Sequence, residues 1–136
     1  MRITAAAALT AMSSMLWVGS SLAADMTAPE ITALIVGKSV YLELTAASVT
    51  GASGQGVIYY SPDGTSLYKT AKGVMWHGTW TMKDNTVCNV WKETTNNACT
   101  GYVKDGGVIS ITNVSTGQVR GKVVKTADGN AEKLVP

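Results

Sequence analysis

The sequence predicts an all-β fold: an antiparallel up-and-down meander of about eight strands that closes into a small barrel or half-barrel, with a short N-terminal helix. Three observations predict it. Apolar and polar residues alternate with a period of two from Ser39 onward, turn sequences such as Ser61-Pro62-Asp63-Gly64 separate the alternating segments, and no helical pattern lies between them. Without helical crossovers the strands should be antiparallel, and closure removes unpaired edges. A two-sheet sandwich is the alternative.

Residues 1–23 are predicted to form a secretory signal peptide. Arg2 precedes an apolar run over residues 3–18, and Ser21-Leu22-Ala23 provides the small side chains that a signal peptidase accepts. The run is about 16 residues long, shorter than the ~20 that span a bilayer, so we expect cleavage after Ala23. The mature chain, residues 24–136, is expected to be one periplasmic or secreted domain with no integral membrane segment.

A short helix over residues 28–36 is the first predicted element of the mature chain. Thr27 and Glu30 have the spacing of a capping box, and Pro29 is tolerated in a first helical turn. Gly37 is placed to end the helix in the left-handed conformation. We expect this helix to cover one end of the sheet.

Eight strands are predicted after the helix. The strongest spans residues 74–83, where Trp76 and Trp80 fall on the core side and His77 on the polar side. The predicted strands cover residues 39–45, 57–60, 65–70, 74–83, 86–91, 98–104, 108–114 and 118–125.

The end of the chain is expected to be mostly polar. In the last predicted strand Val119, Gly121 and Val123 should point inward, which leaves Arg120 in water. Residues 126–136 then form a polar tail.

The two cysteines, Cys88 and Cys99, lie on neighbouring predicted strands. In an oxidising compartment such a pair most simply forms a disulfide, here across a hairpin. A zinc site needs four nitrogen or sulfur ligands, whereas His77 is the only histidine of the chain. We therefore expect a disulfide, no metal and no cofactor.

Charge and composition exclude several classes of function. The chain has 11 basic and 9 acidic residues, and removal of Arg2 leaves a net charge near +1, so nucleic acid is not an expected partner. His77 lacks a nucleophile motif nearby, and most carboxylates occupy predicted turns. The protein is therefore not expected to be an enzyme.

Aromatic side chains are the most promising candidates for a binding surface. By strand parity Trp91 and Tyr102 point away from the face that holds Cys88, and this predicts an exposed aromatic patch. Two further aromatic residues and the histidine complete the candidate ligand or partner surface: Tyr59, Tyr60 and His77.

Several short motifs resemble a known family. They are residues 31–38, residues 58–65 with their Tyr-x-Pro-Asp-Gly-type turn, the triplet Gly78-Thr79-Trp80 and the cysteine pair. Together they are similar to a family of small uncharacterised secreted proteins of alphaproteobacteria. The resemblance implies a Gram-negative periplasmic location and a calycin-like β-architecture, and it carries over no functional residue.

Two functions are consistent with these features. The first is a non-enzymatic periplasmic binding or protein-interaction module, in which the barrel mouth or an aromatic face engages an unidentified small ligand or protein partner. The alternative is a secreted inhibitor of a lysozyme or protease, which would present a stiff loop to a cleft.

Overall fold

The computed structural model describes residues 22–136. The predicted signal peptide therefore lies outside the described residues, except for its last two positions. Within the described part of the chain, no helix combines the length and the apolar character that crossing a membrane requires.

One helix and nine strands form the described chain. The helix, α1, spans Ala28–Ile35. The strands are β1 (Ala24–Asp25), β2 (Lys38–Leu44), β3 (Gly54–Tyr60), β4 (Thr65–Lys69), β5 (Met75–Lys83), β6 (Thr86–Trp91), β7 (Cys99–Asp105), β8 (Val108–Asn113) and β9 (Val119–Asp128).

Strands β2 to β9 form a closed eight-stranded barrel. Each strand pairs antiparallel with the next one along the chain, and β9 returns to pair with β2. This closure confirms the predicted up-and-down barrel and excludes the sandwich. The two-residue strand β1 is additional, and it pairs with the end of β7 that β6 leaves uncovered.

Helix α1 covers the end of the barrel at which β2 begins. The predicted capping box is present, because the Thr27 backbone N–H donates a 2.8 Å hydrogen bond to the Glu30 carboxylate. Ile31 and Ile35 are fully buried in the core, and Gly37 ends the helix at a φ of 70°. The sequence-based interpretation of this segment is confirmed.

The disulfide between Cys88 and Cys99 is also confirmed. The two cysteines lie directly opposite each other on β6 and β7, which are paired at only one other position, Val87 with Thr100. Among neighbouring strands of the barrel, β6 and β7 have the fewest paired residues, and the disulfide holds these two strands together.

The prediction of a polar tail from residue 126 is wrong. Strand β9 continues to Asp128, and residues 129–136, which we call the C-terminal strap, then cross the outer face of β2 to β5. The buried Ser39 hydroxyl donates to the Gly129 carbonyl at 2.8 Å and accepts from the Ala131 N–H at 3.0 Å. Leu134 of the strap is buried against the outer face of the barrel. Removal of this apolar side chain from water favours the attachment of the strap.

Candidate functional site

The barrel interior contains a small cavity toward the end opposite α1. Its free volume is about 40 Å³, enough for about three water molecules or a group the size of a carboxylate. The loop after β2, residues 45–53, contributes to its wall. The lining residues are Leu42, Leu44, Ser48, Val49, Ile58, Tyr60, Tyr68, Asn89, Trp91, Ala98, Thr100, Tyr102, Ile111 and Arg120.

Aromatic rings form one side of this cavity. The rings of Tyr68 and Trp91 are tilted against each other with centroids 5.4 Å apart. Trp76 packs edge-on against Tyr68 at 5.9 Å, and its ring lies 6.2 Å from that of Trp91. Such packing holds large side chains in fixed orientations, so this wall of the cavity is well defined.

Two glycines make room for these rings. A Cβ atom on Gly56 would lie 2.9 Å from Cε2 of Tyr68, and one on Gly78 would lie 2.8 Å from Cε3 of Trp91. Both separations are shorter than a normal carbon–carbon contact. The absence of side chains at these two strand positions therefore allows the aromatic wall to form.

Polar groups face the cavity from several strands. The Asn89 side chain is buried and its Oδ1 atom has no hydrogen-bond partner within residues 22–136. Burial raises the pKa of Tyr60, although hydrogen bonding by Tyr102 and Asn89 opposes this, and burial raises the pKa of Tyr102 well above its usual range. Burial also raises the pKa of Tyr68 to about 12. At neutral pH all three are uncharged phenols that can donate and accept hydrogen bonds.

The prediction that Arg120 lies in water is wrong. Its side chain is only 6% exposed and lines the cavity. Opposite β8, the pairing shifts from Ile111 with Gly121 to Thr112 with Val119, so Arg120 is the extra residue of a β-bulge. At a bulge the alternation of side chains between the two faces is interrupted, so a residue can point to the face opposite the one expected. Because a bulge is defined by the pairing with the neighbouring strand, the pattern of residues along β9 alone does not reveal it.

The predicted exposed aromatic patch is also wrong. Trp91 and Tyr102 are only 4% and 3% exposed, and it is Val90, next to Cys88, that faces solvent. Trp91 and Cys88 do point to opposite sides of β6, as strand alternation predicts. The side that carries Cys88 is the outer face of the barrel, however, and the side that carries Trp91 is the inner face. Valine and cysteine are typical core residues, so the sequence favours an inward position for Cys88 and Val90. Asparagine is usually exposed, yet Asn89 lies on the inner face.

The five candidate binding residues separate into two groups. Trp91, Tyr102 and Tyr60 meet inside the barrel, where they line the cavity. Tyr59 and His77 lie on the outer face, in a groove beside the C-terminal strap. Sequence reasoning missed Arg120, Asn89 and Tyr68 as cavity residues.

His77 has both ring nitrogens next to hydrogen-bond acceptors. Nδ1 lies 2.6 Å from the Glu93 carboxylate and Nε2 lies 3.2 Å from the Val135 carbonyl. Ser61 and Ser66 share its groove, but neither forms a hydrogen bond with the imidazole within the described residues. This arrangement links strand β5 to the strap and leaves neither ring nitrogen available to activate a hydroxyl.

Comparisons with known proteins add no identification. No family model, curated protein or solved structure matches this chain. Among residues 22–136, no three His, Cys, Asp or Glu side chains are grouped so that they could hold a metal ion.

Proposed function

We propose that this protein is a non-enzymatic binding module that takes up a small molecule in the barrel interior. It would act in the periplasm or outside the cell. The disulfide between Cys88 and Cys99 and the predicted signal peptide support an oxidising, extracytoplasmic compartment.

The observation that carries this proposal is an apolar cavity whose polar lining is incompletely satisfied. Native interiors are close-packed, and more than about nine in ten of their buried polar groups have hydrogen-bond partners. Here Oδ1 of Asn89 has none within the described residues, although it lies beside free volume. A bound molecule would fill that volume and supply the missing donor.

The composition of the lining favours binding over catalysis. Leucine, isoleucine and aromatic side chains surround a few polar groups, as is typical of small-molecule sites. Tyr60, Tyr68 and Tyr102 are neutral phenols at pH 7, and a neutral hydroxyl can both donate and accept a hydrogen bond, which suits it to orient a ligand.

A blocking variant tests the proposal. Ala98 lies at the cavity wall next to the start of β7, so Ala98→Phe should fill the free volume from a loop position. Thr116→Phe places the same ring on an exposed turn and is the matched control. The wild type and both variants are titrated with small aliphatic alcohols, amines and acids, while nuclear magnetic resonance follows the indole N–H of Trp91.

At least one class of these probes should shift the Trp91 resonance in the wild type and in Thr116→Phe, and the shift should disappear in Ala98→Phe. Native mass spectrometry of the protein from its own secreting cells should show a bound mass that the Ala98→Phe variant lacks. Shifts that persist in Ala98→Phe, or interior resonances that no probe perturbs, would overturn the proposal.

A further inference from the structure

We infer that the ligand is an organic monoanion and that its carboxylate pairs with the guanidinium of Arg120. This inference rests on the proposed function, and it adds the chemical class of the ligand. It also identifies the residue that selects this class.

The backbone around Arg120 fixes the direction of its side chain. The Arg120 carbonyl accepts hydrogen bonds from the Thr45 N–H at 2.8 Å and from the Thr45 hydroxyl at 3.1 Å. The next residue, Gly121, lies so close to the Glu43 backbone that a Cβ atom there would collide with it. The bulge is therefore held between β2 and β8, and it aims one long basic side chain into the barrel.

The charge of Arg120 has no counter-charge in its surroundings. The cavity lining contains no carboxylate, and within residues 22–136 the guanidinium has neither an ion-pair nor a hydrogen-bond partner, with Nε fully enclosed. Its neighbour Lys122 points outward and lies 3.5 Å from the Glu43 carboxylate. Burial lowers the pKa of Arg120, yet a guanidinium stays protonated in proteins. An unpaired buried charge is unfavourable, and an anion in the cavity would compensate it.

The size and lining of the cavity limit what this anion can be. Free volume of about 40 Å³ accepts a carboxylate but leaves little room for a larger charged group. One guanidinium balances one negative charge, and its planar donors match the two oxygens of a carboxylate. The adjacent apolar wall, with Leu44, Ile111 and Trp91, would contact a short hydrocarbon group attached to the carboxylate.

A pair of probes that differ only in charge tests the inference. Acetate and acetamide have nearly the same size and shape and fit the free volume, and the affinity of each is measured by calorimetry for the wild type, Arg120→Met, Arg120→Lys and Lys122→Met. The last variant removes a neighbouring positive charge from the outer face and is the control. The side-chain Nε–H resonance of Arg120 reports directly on contact with the carboxylate.

Wild-type protein and Lys122→Met should bind acetate at least about tenfold more tightly than acetamide, as for a hydrogen-bonded charge pair. Acetate should shift the Arg120 Nε–H resonance. Arg120→Met should lose this preference, and Arg120→Lys should keep part of it. The melting temperature of Arg120→Met without added anion should exceed that of the wild type, which also shows that the variant folds.

Each contrary result identifies what has failed. Equal binding of both probes to the wild type and to Arg120→Met would overturn the role of Arg120 and leave the proposed binding function intact. If chloride or phosphate shifts the Nε–H resonance and acetate does not, the ligand is an inorganic anion and the inference of an organic one is overturned. Absence of binding by either probe, together with an unchanged Arg120→Met melting temperature, would overturn the inference.

Discussion

The Glu93 carboxylate contacts His77 at two points: it accepts a 2.8 Å hydrogen bond from the His77 backbone N–H and lies 2.6 Å from the ring nitrogen Nδ1. The loop after β6 is thereby attached to β5, and the same imidazole reaches the C-terminal strap at the Val135 carbonyl. Three segments distant in sequence meet at this one histidine on the outer face.

The first prediction concerns the pH dependence of this contact. Burial raises the pKa of Glu93, but the hydrogen bonds from His77 outweigh it and lower the pKa below the usual 4.5. Because the pKa of Glu93 is lower in the folded protein than in the unfolded chain, its carboxylate stabilises the folded state at pH values above the unfolded pKa. This stabilisation is lost as the pH falls below about 4.5. Glu93→Gln should therefore reduce the free energy of unfolding at pH 7 by about 0.5–1.5 kcal/mol.

Urea denaturation from pH 7 to pH 3 measures this effect. Glu93→Gln should flatten the decline of stability below pH 4.5, whereas Glu43→Gln, at an exposed carboxylate on the outer face, should retain it. A wild type and a Glu93→Gln variant with parallel pH profiles would contradict the stabilising role of the contact.

The second prediction concerns the C-terminal strap. Leu134 is buried on the outside of the barrel, and Val135 beside it is 70% exposed. Leu134→Ala should reduce the free energy of unfolding by about 2 kcal/mol. This is at the lower end of the range for a buried leucine, because the strap can move into the cavity that the substitution leaves. Val135→Ala should change stability by less than about 0.5 kcal/mol. Equal effects of the two changes in chemical denaturation would show that the strap does not pack as described.

Most of the fold could be predicted because its signals are local. The capping box of α1, the turn before β4 and the alternation along β2 and β5 each depend on residues close in sequence. The disulfide needed only the expected compartment and two adjacent strands.

The interior of the site could not be predicted because its signals are not local. Arg120 points inward through a bulge that forms only against β8, and the inner face of β6 carries the polar Asn89 while its outer face carries the apolar Val90. In both strands, pairing and closure decide which side chains the barrel encloses. A hydrophobicity pattern reports neither.

The third prediction tests how the aromatic wall is accommodated. Gly78 lies opposite Trp91, and a Cβ atom there would collide with the Trp91 ring and the Val90 carbonyl. Gly78→Ala should cost about 1–3 kcal/mol and change the fluorescence of the displaced indole. Gly107→Ala is the control, because a Cβ atom there meets nothing within 4 Å and the backbone needs no positive φ. A stable Gly78→Ala variant with an unchanged spectrum would show that the ring has room.

The fourth prediction concerns the disulfide. The chain-entropy model gives about 2.5–3 kcal/mol for a loop of this size, and the link spans strands with only two paired positions. The double variant Cys88→Ser with Cys99→Ser should lose about that much stability. Amide exchange should accelerate most along β6 and β7, and uniform acceleration over all strands would contradict a local role for the link.

The last prediction concerns the buried tyrosines at alkaline pH. Burial raises the pKa of Tyr68 from 10.0 to about 12, so the unfolded chain loses this proton first as the pH rises. The folded state then binds more protons than the unfolded state, and stability falls with pH between about 10 and 12, by about 1.4 kcal/mol per pH unit for this tyrosine. Tyr68→Phe should make the decline in urea-measured stability shallower by that amount. Below pH 12, the absorbance change of phenolate formation should show that Tyr68 ionises only when the protein unfolds. Ionisation of Tyr68 near pH 10 in the folded protein would show instead that the cavity is open to solvent.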